Sequence, residues 1–183
     1  DEVESTVGGD LCTMSFATDY LDQLDRFAQR TPVPRVRALH LPPEPAPGEP
    51  RGEFCALELD DGSLGLSYVL LDDTLARLRE LAPSLDLAGA DALQVARRYV
   101  DAPGAQRTLG FAAANALTSC LYARAGWRPE ASADSLGALD PRADESIGMI
   151  GLFRPLVARV GEAGARLTVL ELKPELAGQH DGF

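Results

Sequence analysis

The stretch EFCALELDDGSLGLSYVLL (residues 53–71) constrains the fold more than any other part of this chain. Phe54 and Ala56 alternate with their neighbours. Asp61-Gly62 supplies a tight reversal, and Leu64, Leu66, Tyr68 and Leu70 then resume the alternation. A period of two on both sides of an Asp-Gly pair is the signature of a β-hairpin. A hairpin alone is marginal in water, so it needs a further strand or a helical cover. VPRVRALHL (33–41) alternates loosely and offers that strand. The intervening PPEPAPGEPRG (42–52) reads as a loop, because its prolines fix φ and remove donors.

Helical stripes surround the hairpin. In residues 17–30, Tyr20, Leu21, Leu24 and Phe27 share one face, with Thr18 or Asp19 as candidate caps. Leu75, Leu78 and Leu81 make a stripe in 72–82, and Leu93, Ala96, Tyr99 and Val100 make another in 89–101. QRTLGFAAANALTSCLYARAG (106–126) is bounded by Pro103-Gly104 and Gly126, with Arg107 and Thr108 as candidate cap residues. WRPEASADSLGALDPRADE (127–145) has little periodicity and reads as a linker. ESIGMIGLFRPLVARVGEAGARLTVLELKPE (145–175) then reads as strand, glycine turn, helix, strand. The order predicts an α+β domain over 18–126, a linker over 127–145 and the start of an α/β domain over 146–183. The crossover of that βαβ unit is expected to be right-handed.

Charge and composition narrow the function. The chain of 183 residues carries a formal net charge of −11, which argues against a nucleic-acid binder and favours solubility. Hydrophobic residues make up 45%, enough for a real core. No run of apolar residues is long enough to span a membrane. The N-terminal DEVESTVGGDLC lacks the basic and apolar regions of a signal peptide. Cys12, Cys55 and Cys120 are odd in number and widely spaced, as in reduced thiols of a cytoplasmic protein. Lys173 is the only lysine beside sixteen arginines, which reads as coding bias of a GC-rich bacterium.

Taken together, RTLGFAAANAL (107–117), GLSYVL (65–70), IGMIGLFRPLV (147–157) and LTVLELKPE (167–175) resemble the heavy-metal chelation family of bacterial and archaeal proteins. The resemblance runs over residues 33–175. It implies an enolase-N-terminal-like domain built on a three-stranded antiparallel meander, followed by a Rossmann-like domain, with a cleft between. In that family the Rossmann-like sheet continues for several more strands, so the second domain is expected to be incomplete at Phe183. A lone βαβ leaves sheet edges that a homodimer partner would cover.

Three constellations bear on chemistry. Gly148 and Gly151 bracket the end of the first parallel strand, with Phe153, Arg154 and Pro155 following. Pro155 suits the first helical position, and the backbone N–H groups of 151–154 would point at an anion, with Arg154 adding a planar fork. Glu171 ends the next strand, twenty residues beyond Gly151, about where dinucleotide and adenosyl folds place an acid for ribose hydroxyls. A full G-x-G-x-x-G is absent, so a plain tight turn is the competing reading. Second, the small residues of 106–126 let another element approach closely. Asn115 among them either faces a cleft or ties a neighbouring backbone group to the helix. Third, His40 and His180 are far apart and no C-x-x-C occurs, so no local metal cluster is expected.

The candidate ligand-binding set is therefore Asn115, Gly148, Gly151, Phe153, Arg154 and Glu171. The expected partner is a small anionic or metal-chelating metabolite, with a nucleotide, an adenosyl compound or a metal chelate as the cofactor class. No base or nucleophile stands out. An enzyme of metallophore or cofactor assembly and a non-catalytic interaction module in metal homeostasis are the alternatives at this point.

Overall fold

The structure, a computed structural model, describes residues 15–48, 51–128 and 139–171. Cys12, Lys173 and His180 lie outside them, as do ten residues of the expected linker (129–138). The chain divides into two compact units, residues 1–128 and 129–183.

The first unit opens with helix α1, Phe16–Arg30. Its cap is Ser15, whose hydroxyl accepts from the Thr18 N–H, and not Thr18 or Asp19 as the periodicity suggested. Ser15 lay just outside the apolar period, but a hydroxyl three residues ahead of an orphan N–H is the stronger signal. Leu21 and Leu24 are the buried residues of the predicted stripe. Strands β1 (Val36–His40), β2 (Phe54–Leu59) and β3 (Leu64–Tyr68) form an antiparallel sheet in the order β1-β2-β3. The hairpin closes at Leu59, whose N–H donates to Ser63 and whose carbonyl accepts from Gly62. Gly62 takes φ +85°, which explains the glycine. Helices α2 (Thr74–Leu81), α3 (Ala92–Asp101) and α4 (Gly104–Arg124) follow, with a 3-10 turn at Ala82–Ser84.

The sheet is apolar on both faces. Cys55, Leu57 and Leu59 of β2, with Val36 and Val69, point into the core at 0–1% exposure. Each large side chain among them contributes about 1.5–3 kcal/mol by leaving water. The alternating set that marks the hairpin in the sequence, Phe54, Leu64, Leu66 and Tyr68, lies on the opposite, exposed face. Beneath, Gly65 and Ser67 take the inward positions of β3 because α4 lies almost on the strand. A Cβ at Gly65 would stand 2.1 Å from both the Ala112 carbonyl oxygen and the Ala116 nitrogen. Gly110 plays the same part toward α3, where a Cβ would stand 2.2 Å from the Tyr99 nitrogen. The elements that approach the thin helix are thus β3 and α3. Helix α4 itself begins at Gly104, so Arg107 and Thr108 lie inside it and do not cap it. Arg107 instead donates to the Ala102 carbonyl at 3.2 Å.

The second unit is built on β4 (Ser146–Ile150), α5 (Arg154–Glu162) and β5 (Arg166–Leu170). The strands pair in parallel, from Ser146 against Arg166 to Ile150 against Leu170. Met149, Val157, Val160 and Leu167 form its core. The described residues therefore make a mixed α and β protein, with a three-stranded antiparallel sheet and a small parallel sheet among them.

Candidate functional site

The turn from β4 into α5 gathers most of the sequence-derived candidates. Gly148 sits inside β4, opposite Thr168, and a Cβ there would meet nothing within 4 Å. Its lack of a side chain is not required by packing. Gly151 differs. Its N–H continues the ladder to the Leu170 carbonyl at 2.8 Å, and its φ of +82° then swings the chain out of the sheet. A left-handed backbone of this kind favours glycine. The Phe153 ring folds back toward this turn, so that a Cβ at Gly151 would stand 3.2 Å from its Cε2.

Phe153 is the N-cap of α5, and its carbonyl accepts from Leu156 and Val157. Pro155 is the second residue of the helix, not the first as expected from the sequence, and it has no N–H to satisfy. Leu152 donates its N–H to Glu171 Oε2 at 2.9 Å. Among the described residues, the Phe153 and Arg154 N–H groups find no acceptor. The Arg154 side chain is exposed beside them and makes no ion pair among the described residues. Two backbone donors without an acceptor among the described residues and an exposed guanidinium therefore lie at the positive end of the α5 dipole.

Glu171 sets the polarity of the other side. Its carboxylate already holds the turn through Leu152, so an anion would be repelled there and a hydroxyl or amine would be accepted. Gly151, Phe153, Arg154 and Glu171 thus belong to one turn, and Gly148 precedes it within the strand.

Asn115 belongs to the first unit. Its Nδ2 donates to the Leu66 carbonyl at 2.8 Å, and its Oδ1 lies 3.0 Å from Tyr20 Oη. Strand β3 is at the sheet edge, so this carbonyl has no strand partner, and the amide of α4 takes its place. Tyr20 Oη also lies 2.6 Å from Thr118 Oγ1, which donates to the Ala114 carbonyl at 3.0 Å. Burial pushes the Tyr20 phenol above its ordinary value, against a lowering by the Thr118 hydrogen bond. Sequence reasoning missed this network. The signal was available: Asn115 and Thr118 are three apart on one helix face, and Tyr20 is the polar-tipped member of the α1 stripe.

The remaining candidates do not combine. His40 Nε2 and Arg37 Nη1 both engage Glu58, at 2.9 and 2.8 Å. The His40 hydrogen bond draws the Glu58 carboxyl below its ordinary value, against desolvation and helped by Arg37. Cys55 is buried on the inner face of the sheet. Burial, assisted by the neighbouring Asp61 carboxylate, pushes the buried Cys120 thiol up to about 11, which makes it a poor nucleophile. No group of three His, Cys, Asp or Glu is placed to hold a metal ion among the described residues. Nor, among them, is any helix long and apolar enough to cross a membrane.

No curated protein matches the chain. A solved structure does: a protein of unknown function from the DUF364 family of Desulfitobacterium hafniense, with 16% identity and a TM-score of 0.54. The alignment covers 92% of this chain and 60% of that one. At that identity the likeness is one of fold, and the chain spans 60% of the length of its structural relative. The first unit carries the family signal, from the hairpin through most of α4: residues 52–118 match the family model described as "Putative heavy-metal chelation", the family its sequence resembles.

Proposed function

We propose that the chain binds a small anionic or metal-chelating metabolite at the β4–α5 turn and serves in heavy-metal or metallophore handling. The observation that carries the reading is the pair of N–H groups at Phe153 and Arg154, without an acceptor among the described residues, beside the exposed Arg154 guanidinium. The family description supplies the metal context. Arg154 and the two amides hold a carboxylate or phosphate, and Glu171 takes a hydroxyl or amine of the same ligand. A nucleotide or adenosyl compound presents both. In this reading residues 18–126 are the enolase-N-terminal-like domain and 146–183 begin the Rossmann-like one. The acidic chain, with its widely spaced thiols, works in the cytoplasm of a bacterium.

Thermal unfolding against adenosyl compounds, nicotinamide dinucleotides, organic acids, and divalent metals with and without chelators tests the proposal. A ligand at 100 times its dissociation constant adds about 2.7 kcal/mol. For a chain of this size that raises the midpoint by about 5–10 °C. Arg154→Ala is expected to abolish the shift for anionic ligands, and Glu171→Gln to change which ligand is preferred. A shift that survives Arg154→Ala intact removes the turn from the site.

A further inference from the structure

We draw no further inference here: the strongest candidate, the apolar outer face of the three-stranded sheet around Phe54, Leu64, Leu66 and Tyr68, carries none, because nothing in the structure shows what covers it.

Discussion

The two sheets of this protein bury their apolar residues to different depths. In the antiparallel sheet of the first unit, Cys55, Leu57, Leu59 and Val69 reach 0% exposure under α4. In the parallel pair of the second unit, Met149 and Leu167 stop at 9%, and among the described residues of this unit only Val160 of α5 reaches 0%. Among the described residues, the first unit has five helical or 3-10 elements around three strands and the second has one helix on two strands. The difference teaches which unit can hold itself together. A core closed on several sides resists local opening, whereas a two-stranded sheet with one covering helix lies near the low end of the stability range within a protein. Amide protons of β2 should therefore exchange more slowly than those of β4.

The comparison can be broken most violently at Gly65. Gly65→Val drives a side chain into the α4 backbone, where the nearest atoms stand 2.1 Å from the Cβ. The loss should exceed about 4 kcal/mol, at the extreme of single substitutions. Circular dichroism and exchange of the β2 amides would read it as unfolding of the first unit.

A smaller effect comes from pH and sharpens the contrast, because the groups concerned lie in the first unit. Tyr20, Cys55 and Cys120 all have raised values, Cys120 from 9.0 to about 11, with burial as the leading cause. A raised acid keeps its proton in the folded state while the unfolded chain loses it. Stability from these groups is thus full below pH 9 and lost as pH climbs toward 11. Urea midpoints of the first unit should fall across that window. Iodoacetamide at pH 8 should leave Cys55 and Cys120 unmodified in the folded chain.

Asn115→Ala should cost about 1–3 kcal/mol, since it takes the donor from the Leu66 carbonyl and one acceptor from Tyr20. Denaturant unfolding of the first unit measures it. The smallest effects lie in the second unit. Gly151→Ala forces a φ of +82° on a residue with a Cβ and should cost about 1–2 kcal/mol. Gly148→Ala meets open space and should stay within about 0.5 kcal/mol of the parent. A pair of equal losses at these two glycines would mean that the turn is not what distinguishes them.

Much of this was legible in the sequence, for physical reasons. The hairpin declared itself through Asp61-Gly62, because a tight reversal leaves few choices of residue. The parallel unit declared itself through Gly151 and Pro155 for the same reason. What stayed hidden was which face of the hairpin is buried. Leu64, Leu66 and Tyr68 are larger and more apolar than Gly65 and Ser67, so composition pointed to the wrong side. The inward choice was made by α4, whose closeness at Gly65 is a tertiary fact that no local period encodes. Asn115 was noticed as unusual, and both its partners lay roughly fifty and ninety-five residues away. The site turn was legible as a turn, but not the Glu171 bond to Leu152, which needs the two strands in register.

The contact at Gly65 has an evolutionary side. The atoms that crowd it belong to the backbone of α4, not to the alanine side chains. No replacement along the helix can make room for a larger residue at position 65, because every amino acid brings the same carbonyl and amide. Only a shift of the whole helix would, and α3 holds that helix at Gly110 from another side. The atoms nearest position 65 therefore offer no side chain whose replacement would compensate. Drift is closed there and open at Gly148, although a count of glycines would treat the two alike.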